Sequence, residues 1–168
     1  MAQSFPAAWL DVIGSNVRAY EFLSAERQAF VRRYTQVFVA EKNWEGCGGL
    51  AMTDVIRVTI AAQVAIMVLG LSDQYFDHVI SILVYPAAVL TRRQRDAGGG
   101  FVVDEEIALD GQAQPRSAVI LSWKNVLSGG RDEDHGNVVF HEFAHQYDVL
   151  SGGGIDGTPP LDSADQYR

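Results

Sequence analysis

The residues best suited to chemistry lie at positions 137–150, where the sequence reads NVVFHEFAHQYDVL. In a helix, residues four apart lie roughly 40° apart around the axis and about 6 Å along it. His141 and His145 would therefore project from one face, where they could hold a metal ion between them. Glu142, one position further round, could reach a water molecule beside that ion. This is the H-E-x-x-H pattern of zinc hydrolases, in which the glutamate is the general base.

Two more residues of this stretch could belong to the same site. Asp148 lies three residues after His145 and seven after His141, so it shares their face of the helix. Metal-bound histidines commonly donate their second ring N–H to a carboxylate, and Asp148 is predicted to orient one of them in this way. Its alternative role is that of a surface carboxylate or a salt-bridge partner. Asn137 could also face the site, but asparagine at a helix start is more often a cap.

The predicted chemistry is hydrolysis of a peptide bond with one Zn²⁺ ion. Catalytic zinc takes three protein ligands and a water molecule, whose pKa it lowers to about 7. Glu142 would remove a proton from that water as it attacks the carbonyl, and would then pass the proton to the departing amine. The alternative is a chance motif, with two unliganded histidines beside a surface glutamate.

Composition excludes several other classes of protein. The chain has 168 residues, 48% of them hydrophobic and 20% charged, which fits one globular domain of ordinary composition. A net charge of −8 without a basic stripe argues against binding to nucleic acid or to an anionic membrane. Cys47 is the sole cysteine, and the N-terminus lacks the basic start and long apolar run of a signal peptide. A cytoplasmic protein is therefore expected.

The spacing of apolar residues predicts an α+β fold in one domain, with a mainly helical part at 1–78 and a sheet with the HExxH helix at 79–168. Helices are predicted at 5–13, at 25–42 after a Ser24 cap, and at 54–69 after Thr53, with Gly70 as the stop. Strands are predicted at 80–85, 101–109 and 117–123. Residues 44–49, 91–100 and 128–136 are predicted loops. The closely spaced strands favour a small, largely antiparallel sheet, with a hairpin turn at 110–115, over a βαβ arrangement.

Several segments resemble one known family. The segments WEGCGGLAMTD, IAAQVAIMVLGL, ISILVYP, VILSW and NVVFHEFAHQYDVLSGGGIDGTPPL are similar, in this order, to the Mlc titration factor A family of zinc metallopeptidases. The resemblance implies a cytoplasmic, gluzincin-type peptidase with a zincin-like core similar to that of anthrax lethal factor protease. It also implies binding to the transcriptional repressor Mlc and cleavage of small peptides, with aminopeptidase activity among the expectations. By motif, His141 and His145 become zinc ligands and Glu142 the catalytic base.

The third zinc ligand of that family is a glutamate on a later helix, and this sequence has no glutamate after Glu142. Either the chain lacks its C-terminal part and the ligand lies beyond residue 168, or Asp156, Asp162 or Asp165 replaces it. The first explanation is favoured, because the three aspartates lie in a loop-like stretch. Weak zinc affinity and little peptidase activity are therefore expected of these 168 residues alone.

Three hypotheses about function remain at this point. The first is a zinc peptidase acting on peptide or protein substrates, or part of one. The second is a non-catalytic protein that binds a repressor of the Mlc type and has an incomplete zinc site. The third is a structural domain with a coincidental motif. None of the three involves direct contact with nucleic acid or with a membrane.

Overall fold

Helices dominate the two ends of the described chain, and one helix separates the first strand from the five that follow it. The computed structural model describes residues 4–71, 76–87, 89–96, 102–109, 111–114, 117–131 and 136–150; of those between 89 and 114, and of 149 and 150, it describes the backbone only. The helices are α1 (Ala7–Asn16), a 3₁₀ helix (Arg18–Phe22), α2 (Ala25–Glu41), α3 (Asp54–Met67), α4 (Trp123–Arg131) and α5 (Val138–Leu150). The strands are β1 (Asn43–Gly46), β2 (Ser81–Tyr85), β3 (Val89–Asp96), β4 (Val102–Leu109), β5 (Gly111–Gln114) and β6 (Ala118–Ser122). The predicted α+β class is confirmed.

The local signals for α2 and α3 are confirmed by their caps. Ser24 accepts a hydrogen bond from the backbone N–H of Arg27, and Thr53 accepts one from that of Ile56, both at 3.4 Å. After α3 the chain turns, and Gly70 adopts a positive φ of 87° that favours glycine. The predicted end of α3 is therefore correct to within two or three residues.

The main sheet differs from the predicted antiparallel one. Its strands lie in the order β1-β2-β6-β5; β1, β2 and β6 are parallel, and only β5 runs antiparallel to its neighbour. The prediction against a βαβ arrangement was wrong, because α3 connects the parallel strands β1 and β2. The expected hairpin between the strands at 101–109 and 117–123 was also wrong, since β6 pairs with β2 and β5. Closeness in sequence was taken as pairing, although parallel partners are always distant along the chain.

A second, two-stranded sheet replaces the predicted loop at 91–100. Strands β3 and β4 pair antiparallel, with Arg92 opposite Glu106 and Arg93 opposite Glu105 in the register. Strand pairing satisfies the backbone N–H and C=O groups of both segments, so a segment as polar as TRRQRD can form a strand once its partner is present. A propensity argument that treats the segment alone cannot include this term.

Three other elements were missed where glycine or short length weakened the local signal. β1 and β5 have only four residues each and fall in segments predicted as a loop and a turn. α4 occupies part of the predicted loop at 128–136, and α1 continues through Gly14 to Asn16. Each glycine costs a helix about 1 kcal/mol relative to alanine, so local propensity argues against α4, which contains Gly129 and Gly130.

Both glycines of α4 are required by close packing of backbone on side chains. A Cβ added to Gly130 would overlap the carbonyl oxygen of Asn16 and lie 2.7 Å from Nε2 of Gln63. A Cβ added to Gly129 would lie 2.8 Å from Cα of Asn137, directly before α5. The loss of helix propensity is thus offset by the contact of α4 with α1, α3 and the start of α5.

A Gly130→Ala substitution is expected to lower the free energy of unfolding by about 1–3 kcal/mol, the usual cost of adding a methyl group to a packed interface. Gly14→Ala is the matched control, because this exposed glycine lies within α1 and a Cβ there would meet nothing within 4 Å. The control should stabilise the protein by about 0.5–1 kcal/mol through helix propensity. Urea unfolding measures both values, and equal effects of the two substitutions would contradict the packing described for α4.

Candidate metal centre

Helix α5 is fixed to the core by Phe143, which is fully buried between two other aromatic rings. The ring centroid of Phe143 lies 5.0 Å from that of Phe76 and 5.8 Å from that of Phe38, both in edge-to-face geometry. The helix also contacts α3, α4, β5 and β6. In a helix, His141 and His145 each lie about 160° from Phe143, so the fixed face leaves both histidines on the outer side. His141 is exposed and His145 is half-buried.

The two histidine rings approach each other through their Nε2 atoms. Nε2 of His141 lies 3.1 Å from Nε2 of His145, with the ring planes 84° apart. Two nitrogens bound to one tetrahedral zinc ion at about 2.0–2.1 Å lie roughly 3.3 Å from each other. The observed pair needs an adjustment of only a few tenths of an ångström to become a chelating pair. The donor set and its spacing therefore fit a zinc ion.

Within the described part of the chain, the inner nitrogen of His145 lacks the hydrogen-bond partner that usually orients a zinc-bound ring. Its Nδ1 is buried and has no hydrogen-bond partner among the residues that the structure describes. Metal-bound histidines typically donate this second N–H to a carboxylate or a carbonyl, which fixes the tautomer. Asp148, predicted for this role, is only 3% exposed and follows one turn later on the same helix. Its pairing with a histidine stays a prediction.

Glu142 differs sharply from its neighbour His141 in exposure. Only 4% of Glu142 is exposed, whereas His141 lies at the surface. Burial of a carboxylate is costly unless polar groups compensate for it, and it also shelters the group from bulk water. A sheltered carboxylate directly after His141 is compatible with the role of general base, which stays a prediction.

The two predicted zinc ligands, His141 and His145, lie within the described residues. Within these ranges, no group of three or more His, Cys, Asp and Glu side chains could hold a metal ion. A catalytic zinc site of this type uses three protein ligands, so the set is incomplete in this part of the chain. The three aspartates considered as replacements for the third ligand lie outside the described ranges: Asp156, Asp162 and Asp165.

Asn137 is the cap that its position suggested. Its Oδ1 accepts a hydrogen bond from the backbone N–H of Phe140 at 3.0 Å, and its carbonyl oxygen accepts one from that of His141. The first turn of α5 thus begins directly after its cap, Asn137. The first backbone hydrogen bond of the helix joins the N–H of His141 to the carbonyl oxygen of Asn137. One turn of helix therefore separates the cap from the first metal-ligand candidate.

Sequence reasoning missed the buried polar residues whose hydrogen bonds connect α5 and its cap to the rest of the fold. Oε1 of the buried Gln146 lies 3.0 Å from Nε2 of His78, so the histidine has a hydrogen-bond partner on α5. Gln63 of α3 contacts Asn137 in a similar way. The one available clue was a polar residue at a helix position otherwise surrounded by apolar ones. Such a residue must find a hydrogen-bond partner when it is buried.

Lys42 contacts Phe38 and Phe76, the two residues whose rings pack against Phe143 of α5. Its Nζ donates to the carbonyl oxygen of Phe76 at 2.9 Å and lies 5.3 Å from the ring centroid of Phe38. Burial lowers the pKa of Lys42, while the nearby charges of Asp77 and Glu41 act in the opposite direction. Phe76 has a positive φ of 49°, unusual for a bulky residue, and the lysine bond holds it against Phe143.

Comparison with known proteins agrees with the geometry of α5. The sequence model of a family described as glucose-regulated metallo-peptidase M90 matches residues 1–168. The chain belongs to this family. Membership of the metallo-peptidase family accounts for the H-E-x-x-H pattern, and it confirms the resemblance to the Mlc titration factor A proteins noted in the sequence.

Curated relatives of this M90 chain include both uncharacterized and named proteins. An uncharacterized protein of Synechocystis sp. is 32% identical over 165 residues, which cover 97% of this chain and 60% of the relative. Mlc titration factor A of Yersinia pestis is 26% identical over 136 residues, covering 81% of this chain and 50% of the relative. The same protein of Yersinia pseudotuberculosis gives the same values. The chain thus spans about half to three fifths of the length of these relatives.

The length and the apolar character of a helix decide whether it could span a membrane. Among the described residues, no helix combines the length and the apolar character that a membrane span requires. α3, the most apolar of the long helices, has 14 residues and is buried by α1, α2, α4 and α5 instead.

Proposed function

We propose that this chain carries the metal-binding and catalytic helix of a zinc-dependent peptidase with a zincin-like, gluzincin-type site. The observation that carries the proposal is the convergence of His141 and His145, with Nε2 atoms 3.1 Å apart on one side of α5. Membership of a metallo-peptidase family supports it independently. The third protein ligand lies outside the described residues in this proposal, in keeping with a downstream glutamate.

Each residue of the site has a separate task. His141 and His145 hold the ion, and Asp148 orients one of the rings. Bound zinc supplies activation of water and polarisation of the scissile carbonyl group. Glu142 accepts one proton from the attacking water as the new carbon–oxygen bond forms. It then delivers that proton to the amide nitrogen, whose bond to carbon breaks, so that the products are a carboxylic acid and an amine.

The sheet offers a place for an extended peptide next to α5. β5 is the end strand of the main sheet, and α5 contacts it. An end strand presents backbone N–H and C=O groups that can pair with an added strand, a common mode of peptide binding. A peptide bound along β5 would run beside α5, which supports peptides as the substrate class. Cleavage near a free amino terminus and cleavage within a chain are both compatible with this arrangement.

The name of the Yersinia relatives favours a second function, binding of the repressor Mlc. A protein that acts by titrating a repressor needs a complementary surface but no proton transfer. Binding of a transcriptional repressor requires a cytoplasmic protein, because the repressor acts where the DNA is. A peptidase is compatible with the same location. A Glu142→Gln variant separates the two, since only peptide hydrolysis depends on the carboxylate.

Removal and return of zinc test the proposed function. The measurement is made on the whole gene product, whatever its length, with a set of fluorogenic amino-terminal and internally quenched peptides. Treatment with a zinc chelator should lower peptide hydrolysis at least 100-fold, and one equivalent of zinc should restore it, because the proposed reaction needs a metal-activated water. Hydrolysis that persists after the metal is removed would refute the proposal.

A further inference from the structure

Gln63 occupies an unusual place in the molecule. It lies in the middle of α3, is 1% exposed, and is preceded and followed by buried apolar residues. A buried amide without hydrogen bonds is costly, so its two ends need partners. Nε2 of Gln63 donates to the carbonyl oxygen of Val126 at 3.1 Å, and Oε1 accepts from Nδ2 of Asn137 at 2.8 Å. The side chain therefore links α3 to both α4 and the start of α5.

These bonds determine which way each amide group points. The carbonyl of Val126 can only accept, so Gln63 must present its nitrogen there and its oxygen to Asn137. Asn137 must then donate to Gln63, and its Nδ2 also donates to the carbonyl oxygen of Gly129 at 3.1 Å. Its oxygen is left to accept from the N–H of Phe140. We call this head-to-tail series (Val126, Gln63, Asn137 and Phe140) the amide network.

The amide network has no spare room around it. As described for α4, the backbone at Gly130 and Gly129 packs directly on Gln63 and Asn137. A helix turn pressed this closely on two amide side chains restricts their rotation. Asn137 is thus held in the one orientation in which its oxygen caps α5.

We propose that Gln63 is a positioning residue for the zinc site, acting through Asn137 on the first turn of α5; this inference rests on the proposed zinc peptidase function. His141 lies in that first turn, and its N–H donates to the carbonyl oxygen of Asn137 at 3.0 Å. His145 lies one turn later, so fraying of the first turn would move one Nε2 away from the other. Gln63 touches neither histidine.

Three substitutions test this role in the whole gene product. Gln63→Met keeps the length of the side chain but removes both amide bonds. Asn137→Ser keeps an oxygen that can cap α5 but cannot reach Gln63. Thr59→Val is the matched control: Thr59 is buried one turn earlier on the same helix, and the substitution breaks its hydrogen bond with Asn16, which does not involve α5.

The first readout is the zinc dissociation constant, measured by competition with a chromogenic chelator. Loss of a supporting group commonly weakens metal binding about 10- to 100-fold, and Gln63→Met should weaken it about tenfold. Asn137→Ser should weaken zinc binding about threefold or more, because it removes the bond to Gln63 but keeps an oxygen that can cap α5. Thr59→Val should leave it within about twofold of the wild type, because its lost bond does not reach the site. An unchanged affinity in folded Gln63→Met, or an equal loss in Thr59→Val, would overturn the proposal.

Amide hydrogen exchange of the metal-free protein is the second readout, and it does not depend on zinc. The N–H groups of Phe140 and His141 should exchange about tenfold faster in Gln63→Met and be unaffected in Thr59→Val, since only the former loosens the first turn. Unchanged exchange in Gln63→Met would contradict the role of the amide network. If Gln63→Met does not fold, Asn137→Ser decides both readouts. A wild type that binds no zinc would refute the proposed function, and exchange would still decide whether Gln63 controls the turn.

Discussion

Replacing His141 with alanine is expected to weaken zinc binding at least 100-fold. The structure places Nε2 of His141 and Nε2 of His145 3.1 Å apart, so in the proposed site the two rings would bind the ion as one chelating pair. Removal of one ring leaves a single imidazole ligand on α5. The zinc affinity gained from a second ligand that the same helix holds in place is then lost. A 100-fold change corresponds to about 2.7 kcal/mol of binding free energy, a modest value for one zinc–imidazole bond.

The His141→Ala effect is measured by chelator competition, with His78→Ala as the control. His78 also has a polar contact with α5, through Gln146, but it belongs to no ligand pair. His78→Ala should keep the zinc dissociation constant within about threefold of the wild type, because it disturbs the helix without removing a ligand. Equal losses in the two variants would show that general disturbance of α5, and not chelation, controls the metal.

Glu142→Gln is expected to lower kcat for peptide hydrolysis by about 10²- to 10⁴-fold while zinc remains bound. Glutamine has nearly the same shape but cannot accept the proton of the attacking water. Glu142 is buried, so the substitution also replaces a charged group with a neutral one at a sheltered position. The expected pattern is therefore a loss in kcat with metal content unchanged.

The same carboxylate-to-amide change at Glu26 is the control for Glu142→Gln. Glu26 is exposed in the first turn of α2 and should have no effect on turnover. Binding of purified Mlc to Glu142→Gln should match that of the wild type if repressor binding is a separate function of this chain. Hydrolysis retained in Glu142→Gln would remove this residue from the mechanism.

Helices α2, α3 and α5 were predictable because their signals are local. Ser24 and Thr53 mark the starts of α2 and α3, and the spacing in NVVFHEFAHQYDVL predicts α5 with its two histidines on one side. Each of these features depends on residues no more than a few turns apart. Local hydrogen bonds and helix geometry suffice to place them.

The sheet and the support of the site were not predictable in this way. The parallel pairing of β1 with β2 joins residues almost forty positions apart, and β3 forms as a strand through its backbone pairing with β4. The contact between Gln63 and Asn137 spans 74 positions. In the sequence, Gln63 is a polar residue between apolar neighbours and Asn137 occupies a cap position. Nothing local could indicate that the two would bond to each other.

X-ray absorption at the zinc edge tests the central claim most directly. It counts the imidazole rings around the metal in the whole gene product loaded with one equivalent of zinc. We predict two imidazole nitrogens at about 2.0–2.1 Å in the wild type, and one in His141→Ala examined with excess protein over zinc. A wild-type spectrum with fewer than two imidazoles, or an unchanged count in His141→Ala, would contradict the assignment of α5 as the metal-binding helix.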